Sequence, residues 1–262
     1  MNTKLLISLY TYSLFIVLMF FAFISAYPLY LLAHLWSKKP RVYFQKVVQQ
    51  YFKLFYLLMP NAGNITIHNR YNCNTFHPSI YVSTHQSTLD YTLLATVIDD
   101  YVTPSNHFIS DYPLFFKVPK HGLGIHYIPK GNLNEASKGY QSFIEALQKD
   151  SSVIIFPEGT RNPSSLLKRF KGGAFRLSVS ENIPLIPILI NGSGEIVTKG
   201  SNITKTIQKK DIHITFLDPI YPKEAETFAT LAKRVKTIMQ THIDNDKMYA
   251  KEERQETPNA KV

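Results

Sequence analysis

The chain has 262 residues, 45% of them hydrophobic and 13% aromatic, with a formal net charge of +10 at pH 7. A chain of this length can bury a substantial core in one domain of ordinary size. The single cysteine, Cys73, excludes an internal disulfide and argues against a cysteine-based zinc site. The basic residues are scattered and fit no zinc-finger, RNP or basic-helix pattern, so nucleic acid is not a predicted partner.

The amino-terminal segment is long and apolar, because residues 5–37 contain no Asp, Glu, Lys or Arg. A transmembrane helix needs about 20 apolar residues, and this run is longer. A secretory signal peptide is the competing interpretation, but the apolar core of a signal is only about 7–15 residues long. We therefore predict a retained membrane anchor. Pro28 interrupts the run, so one tilted span and a helix that dips into the membrane and turns both stay open.

Basic residues are dense after the apolar segment and sparse before it. Lys4 stands alone on the amino-terminal side, whereas the other side carries Lys38, Lys39, Arg41, Lys46 and Lys53. The positive-inside rule then predicts that the rest of the chain lies on the cytoplasmic face, where a positive surface suits anionic lipid headgroups. Residues 40–59 are predicted to form a second helix, either on the membrane surface or packed on the globular domain.

From residue 64 onward, short β-type runs alternate with helical ones. The predicted strands are residues 64–68, 79–83, 107–110, 126–129, 152–156, 185–190 and 212–217, and the predicted helices are 89–98, 135–149, 173–179 and 224–243. This alternation predicts an α/β fold with a mostly parallel central sheet flanked by helices. We assign residues 1–60 to the anchor and amphipathic helix, 61–243 to a catalytic domain and 244–262 to a charged, disordered tail.

The block His85-Gln86-Ser87-Thr88-Leu89-Asp90 follows the second predicted strand. Five residues along a continuous α-helix rotate by about 500°, so His85 and Asp90 would not face each other on one straight helix. With His85 in a turn, Asp90 in the first helical turn, and Ser87 or Thr88 capping that helix, the imidazole and the carboxylate can meet. The carboxylate would fix the tautomer and raise the basicity of the other ring nitrogen, giving a general base for a hydroxyl.

A second block, Phe156-Pro157-Glu158-Gly159-Thr160-Arg161, closes a continuous apolar strand. Its loop is expected at the carboxyl end of that strand, where open α/β sheets bind ligands. Gly159 lets the backbone approach a ligand closely, and Arg161 offers the planar fork that suits a phosphate. A simple turn with Arg161 paired to Glu158 is the alternative. Farther on, two glycines open a predicted helix beside Lys171, which makes Lys171 a candidate second phosphate contact.

In this order, behind a membrane-length apolar segment, the two blocks resemble the glycerolipid acyltransferase family, whose members carry a His-x4-Asp block followed by a Phe-Pro-Glu-Gly-x-Arg block. The resemblance implies that His85 and Asp90 are the catalytic pair. It also implies that the acceptor's phosphate is bound by Glu158, Gly159, Thr160 and Arg161. The resemblance extends over residues 80–191, with one departure at Thr84, where the family most often has Asn.

Two weaker blocks lie in the expected order. Residues 124–130 resemble the family's second block, which usually ends in an arginine that holds the phosphate. Here the nearest basic residue is Lys130, a point charge rather than a fork, and the resemblance assigns it that contact. Residues 183–188 resemble the fourth block, which the family places near the acyl chain.

The resemblance implies a membrane-bound O-acyltransferase that moves a fatty acyl group from acyl-CoA or acyl-carrier protein to the sn-2 hydroxyl of 1-acyl-glycerol 3-phosphate. It implies no metal and no tightly bound cofactor. The alternatives are another lysophospholipid or lyso-aminolipid as acceptor, a non-catalytic lipid-binding relative, and a hydrolase that uses the same base on water. A covalent mechanism at Ser87 is disfavoured because no Gly-x-Ser-x-Gly surrounds it.

Overall fold

A sheet of seven strands forms the centre of the computed structural model, which describes residues 3–70, 75–105, 122–127, 133–197 and 204–246. The strands are β1 (Ala62–His68), β2 (Ile80–Ser83), β3 (Tyr101–Ser105), β4 (Ile125–Tyr127), β5 (Ser152–Ile155), β6 (Leu185–Asn191) and β7 (Lys210–Phe216). The helices are α1 (Thr3–Ala33), α2 (Pro40–Leu58), α3 (Asp90–Ala95), α4 (Leu133–Gln148), α5 (Gly173–Glu181), α6 (Ser193–Ile196) and α7 (Phe228–Asn245).

The strand order is β1-β7-β6-β2-β5-β3-β4, with β2 in the middle. Strands β6, β2, β5, β3 and β4 run parallel to one another, whereas β7 is antiparallel to β6 and pairs in parallel with β1. The predicted mostly parallel α/β sheet is therefore confirmed. Because β2, β5 and β6 are parallel neighbours, their carboxyl ends meet at one edge of the sheet.

Helices cover both faces of the sheet, which is why its central strands are apolar on both sides. Alternate residues of β2 point to opposite faces, so Tyr81 joins one buried cluster and Ile80 and Val82 join the other. The Tyr81 cluster also contains side chains of α1, α2 and α3. The other cluster contains side chains of α4, α5 and α7.

Helices α1 and α2 form an antiparallel hairpin through aromatic contacts, with Phe15 against Phe55 and Phe23 against Phe44. The opposite side of α2 packs on the domain, where Gln45 Nε2 donates to Tyr101 O at 2.8 Å. Helix α2 thus packs on the domain, as one of the two interpretations predicted, and its position at a membrane surface stays a prediction.

The outer face of α1 stays exposed although it is apolar. In the described parts of the chain, α1 is the one helix long and apolar enough to cross a membrane. It continues through Pro28 to Ala33, so the chain makes no turn at that proline. The exposed apolar side chains of α1 include Leu5, Leu9, Ile16, Val17, Phe20, Phe21, Ile24, Leu31 and Leu32. This face agrees with the predicted membrane anchor.

Two elements were not predicted from the sequence. Strand β3 contains Pro104, which argues against a central strand because it cannot donate to a ladder. Pro104 is tolerated because β3 pairs with β5 only at Tyr101 and Val102, before the proline. Helix α6 is a single turn. The predicted strand at residues 107–110 lies outside the described residues, and α7 extends to Asn245, two residues into the predicted tail.

Candidate active site

His85 and Asp90 meet as the turn after β2 leads into α3. His85 Nδ1 lies 2.9 Å from Asp90 Oδ2, and the Asp90 side chain is fully buried whereas that of His85 is 20% exposed. An ionised carboxylate only accepts hydrogen bonds, so Nδ1 carries the proton and donates it to Asp90. The Nε2 lone pair is then available to take a proton from a hydroxyl. The predicted juxtaposition of the two side chains is confirmed.

Asp90 is held by two further donors. The backbone N–H of Ser87 donates to Oδ2 at 2.8 Å, and the Ser193 hydroxyl donates to Oδ1 at 2.6 Å. Both carboxylate oxygens are thus satisfied although no water reaches them, which removes the cost of burying this charge unpaired. Ser193 had no signal in the sequence, because it lies a hundred residues away in a short turn after β6.

The predicted helix cap was wrong in detail. Leu89, rather than Ser87 or Thr88, occupies the N-cap position of α3, and it makes no side-chain cap hydrogen bond. The Ser87 hydroxyl donates instead to Val197 O at 2.6 Å and accepts a longer hydrogen bond from Leu89 N. A hydroxyl bound in this way stabilises the turn and is not positioned as a nucleophile for a substrate.

Thr84, the residue before His85, is hydrogen-bonded to the neighbouring strand β6. The Thr84 N–H donates to Ile188 O at 3.0 Å, and the Thr84 hydroxyl accepts from Ile190 N at 2.8 Å. Thr84 therefore continues the pairing between β2 and β6 with its side chain. The Thr84 side chain thus joins the start of the turn that contains His85 to the neighbouring strand.

The second block lies directly beside the dyad, because β5 is the parallel neighbour of β2. The Phe156 ring stacks on the His85 imidazole with their centroids 4.1 Å apart. The backbone N–H of Asn162 donates to His85 O at 2.5 Å. The ring plane and the backbone of His85 are thus both fixed by the loop that carries the candidate phosphate contacts.

Glu158 is buried, and one of its carboxylate oxygens holds the loop together. Oε2 accepts from Asn162 Nδ2 at 2.7 Å and from the backbone N–H of Lys168 at 3.0 Å. Its other oxygen, Oε1, is buried and has no hydrogen-bond partner within the described residues. The alternative in which Arg161 pairs with Glu158 is not found, since Glu158 takes these partners instead.

Gly159, Thr160, Arg161 and Lys171 come together at the same loop. Gly159 has φ +64°, and the Lys171 side chain crosses so close to it that a Cβ at Gly159 would collide with Lys171. The Lys171 backbone N–H donates to Pro157 O at 2.7 Å. An anion would therefore be bound by the ammonium group of Lys171 and not by its backbone N–H. Thr160 and Arg161 are half-buried. The loop that carries Arg161 contacts His85 through Phe156 and Asn162, and the Lys171 side chain lies against Gly159 of the same loop.

The loop continues as a strongly basic segment. Residues 159–180 contain no acidic residue, and within them Lys168, Arg169, Lys171 and Arg176 are exposed. Arg176 lies over the Phe228 ring at 4.2 Å from its centroid. A concentration of positive charge close to a half-buried histidine suits substrates that carry phosphate groups.

The two weaker blocks are separated in the fold. The block at residues 183–188 enters β6, next to β2 and close to the dyad. The start of the block at residues 124–130 lies on β4, at the far edge of the sheet beyond β5 and β3. Lys130 itself lies outside the described residues, so its predicted phosphate contact stays a prediction.

No group of three or more His, Cys, Asp or Glu side chains close enough to hold a metal ion occurs in the part of the chain that the structure describes. A cavity of about 130 Å³ lies between α1, α2 and the start of α3. Its walls are mostly apolar and include Phe15, Phe55, Met59, Leu89 and Val197. Leu89, which directly precedes Asp90, lines this cavity, whereas the side chains of His85 and Asp90 do not.

Comparison with known proteins agrees with this arrangement. Residues 64–191 match the sequence profile of the Acyltransferase family. A chloroplastic 1-acyl-sn-glycerol-3-phosphate acyltransferase from Brassica napus is 32% identical over 162 residues, which cover 60% of this chain and 44% of that protein. The alpha form of the same enzyme from Mus musculus is 32% identical over 128 residues, 47% of this chain and 43% of that protein. The chain thus aligns with less than half the length of these relatives.

A solved structure shares the fold along nearly the whole chain. The 1-acyl-sn-glycerophosphate acyltransferase PlsC from Thermotoga maritima superposes with a TM-score of 0.74 at 20% sequence identity, covering 98% of each chain. This similarity includes the amino-terminal helices as well as the sheet. The family match and the two relatives identify residues 64–191 as those of the Acyltransferase family, and the solved structure shows that the fold is shared along the chain.

Proposed function

We propose that the protein transfers a fatty acyl group from acyl-CoA or acyl-carrier protein to the sn-2 hydroxyl of 1-acyl-glycerol 3-phosphate, producing phosphatidate. The observation that carries the proposal is the hydrogen bond between His85 Nδ1 and Asp90 Oδ2, which leaves Nε2 as a base beside a basic loop. The relatives from Brassica napus and Mus musculus are 1-acyl-sn-glycerol-3-phosphate acyltransferases, which supports the same reaction.

In the proposed mechanism, Nε2 of His85 removes the proton from the acceptor hydroxyl as its oxygen attacks the thioester carbonyl carbon. The carbon–sulfur bond of the donor breaks, and the leaving thiolate takes the proton from the imidazolium. Asp90 stabilises the imidazolium between these two steps. No covalent acyl-enzyme is required, in keeping with the use of the Ser87 hydroxyl as a donor to Val197 O.

The acceptor phosphate is assigned to Arg161 and Lys171. Arg161 offers a bidentate contact with a phosphate, and Lys171 adds a point charge across Gly159. We assign Glu158 a structural role instead, because its buried Oε2 accepts hydrogen bonds from Asn162 and Lys168 and so stabilises the loop.

We expect the acyl chains of both the acceptor and the donor to reach the site from the membrane side of the protein. The exposed apolar face of α1 suits a lipid interior, and the apolar cavity beside Leu89 suits an acyl tail near the base. We assign the dyad to the cytoplasmic side, from the excess of basic residues after α1. Lys39 contributes less to lipid attraction than the sequence suggested, because it pairs with Asp100 at 2.8 Å.

The test is an acyl-transfer assay on the detergent-purified protein with a panel of labelled acceptors and donors. The acceptors are 1-acyl-glycerol 3-phosphate, lysophosphatidylcholine, lysophosphatidylethanolamine and a lyso-aminolipid, and each is offered with acyl-CoA and with acyl-carrier protein. We expect label in phosphatidate. Transfer to a phosphate-free acceptor alone would replace the proposed substrate, and release of free fatty acid without transfer would indicate a hydrolase.

A further inference from the structure

Ser193 contacts Asp90 of the dyad, although it lies outside the sequence blocks described above. Its hydroxyl donates to Asp90 Oδ1 at 2.6 Å, and both side chains are completely buried. The opposite oxygen of Asp90 holds His85. Ser193 therefore binds Oδ1, the carboxylate oxygen that does not contact the imidazole.

The turn that carries Ser193 is shaped for this contact. Gly192 directly follows β6 and has φ +90°, and a Cβ there would collide with the carbonyl oxygen of Asp211 on β7. Only glycine combines that backbone conformation with so close an approach. The turn after β6 is consequently pressed against β7, and Ser193 is directed back across the sheet edge toward α3.

The same turn contacts the catalytic block at two more points. Gly194 lies against Gln86, where an added Cβ would be 3.1 Å from the Gln86 Cβ. The carbonyl oxygen of Val197 accepts from the Ser87 hydroxyl at 2.6 Å. Residues 192–197 thus contact Gln86, Ser87 and Asp90 of the block that contains the dyad.

We propose that Ser193 is a positioning residue that acts through Asp90: its hydrogen bond sets the rotation of the carboxylate, which in turn sets the tautomer and orientation of His85. The terminal torsion of an aspartate is broad and two-fold, so packing alone defines it poorly. Donors on both oxygens define it well. The inference rests on the proposed function, because the aligned dyad matters only where His85 acts as a base.

The first test compares kinetics of matched serine variants. Ser193→Ala should lower kcat about 10-fold, the effect of losing one hydrogen bond to a charged group, with little change in acceptor KM. Ser178→Ala is the control, because the Ser178 hydroxyl is equally buried and donates to Ile183 O at 2.7 Å, away from the dyad. It should lower the melting temperature to a similar extent and leave kcat unchanged.

A double-mutant cycle separates positioning from general structural support. In an Asp90→Asn background, Ser193→Ala should lower kcat by less than about twofold, because the partner through which it acts is already impaired. A further loss of about 10-fold in that background would overturn the proposal. So would a kcat of the single variant above half that of the wild type.

Two additional comparisons keep the proposal testable if Ser193→Ala folds poorly or if the wild type acts on another acceptor. Ser193→Thr and Ser193→Val have nearly the same shape and differ in the hydroxyl, so only the threonine variant should retain most of the kcat. In ¹⁵N-histidine spectra, with His85→Ala used to assign the signal, wild type should show one His85 tautomer protonated at Nδ1 and Ser193→Ala a mixture. An unchanged tautomer would overturn the positioning role whatever the substrate proves to be.

Discussion

The Tyr56 hydroxyl on α2 donates to the carbonyl oxygen of Leu89 at 3.0 Å, one residue before Asp90. It also shares a 2.6 Å hydrogen bond with Thr92 Oγ1 on α3. Burial raises the pKa of Tyr56 strongly, so the phenol stays neutral and keeps its proton for these contacts. Through this side chain, the hairpin formed with the apolar helix α1 is joined to the short helix α3, which begins with Asp90.

We expect Tyr56→Phe to loosen α3 without removing it. Loss of one buried hydrogen bond costs about 1 kcal/mol, which corresponds to a fall in Tm of roughly 2–4 °C for a protein of this size. The kcat should fall by a factor of roughly 2–10, because the carboxylate is held less firmly. Tyr43→Phe on the same helix, where the ring packs against Trp36, is the control and should change neither quantity. Equal effects of the two variants would argue against the link.

Asp100 forms a second link between the hairpin and the domain. It accepts from Lys39 Nζ at 2.8 Å, from Arg41 at 3.0 Å and from the Ser151 hydroxyl at 2.9 Å. Burial by itself would raise the pKa of Asp100, but the hydrogen bonds from Lys39, Arg41 and Ser151, with the charge of Arg41, outweigh it and hold the pKa below its usual value.

This cluster predicts a pH dependence of stability. A carboxyl group whose folded pKa is depressed contributes stability that is fully present above its unfolded pKa, about 3.9, and is lost as pH falls through the folded pKa. Asp100→Asn should lower stability at neutral pH by roughly 1–3 kcal/mol and flatten the fall in Tm on acidification below about pH 5. Lys39→Met should flatten it partly. Parallel Tm curves for the wild type and Asp100→Asn in detergent would exclude the assignment.

The outer face of α1 predicts a specific loss of membrane binding. Ile16 is 67% exposed and Ile24 54% exposed, so changing both to Asn removes apolar surface without opening the core. If this face enters the bilayer, each substitution costs on the order of 1.5–3 kcal/mol of transfer free energy, and vesicle flotation should fall at least about tenfold. Leu166→Asn changes an equally exposed side chain, 69%, on the domain and should float like the wild type.

The dyad predicts a large loss of activity with the fold intact. His85→Ala should reduce kcat by about 10²–10⁴-fold, the usual contribution of a general base. Asp90→Asn should be nearly as damaging, because the amide can hold the wrong tautomer of His85 and cannot stabilise its charged form. His242→Ala, an exposed histidine on α7, controls for loss of a histidine as such. More than a tenth of wild-type activity in His85→Ala would exclude the base.

The parts of the molecule that could be predicted from sequence are those specified by local patterns. Hydrophobic periodicity located α2 and α7 to within a few residues, and the argument about helical rotation required His85 and Asp90 to lie in a turn and a helix start. Strand β3 could not be predicted in the same way, because Pro104 is acceptable only where β5 no longer pairs with β3. That condition depends on where β3 separates from β5, which itself continues to Ile155 beside β2, and the local sequence does not show it.

The supporting contacts of the site were hidden for the same reason. Ser193 reaches Asp90 and Phe156 reaches His85 only because β6, β2 and β5 are adjacent parallel strands. A sequence shows that a serine follows an apolar strand, but it does not show which strand lies next to it. Likewise, Glu158 stabilises its own loop only because the chain returns Asn162 and Lys168 to within hydrogen-bond distance of its carboxylate.

Arg161 is the residue at which the proposed acceptor is most directly tested. If the acceptor carries a phosphomonoester, Arg161→Lys keeps the charge and loses the two-pronged contact. Loss of a charge-assisted hydrogen bond is worth about 1.5–3 kcal/mol, so kcat/KM for the acceptor should fall by roughly 10- to 100-fold, mainly through KM. Lys171→Ala should act in the same direction more weakly, since its ammonium group is a single point charge beside Gly159.

Steady-state kinetics with acceptor and donor varied separately distinguish the two ligands that carry phosphate. Arg70→Lys, at an exposed position after β1, is the matched control and should leave all constants unchanged. If Arg161→Lys raises the KM of the donor alone, the loop binds the phosphates of the acyl carrier, and the acceptor need not be a phosphate ester. The basic segment that follows, with Lys168 and Arg169 exposed, would then be the continuation of a donor site, because a carrier's phosphates extend farther than one acceptor phosphate does.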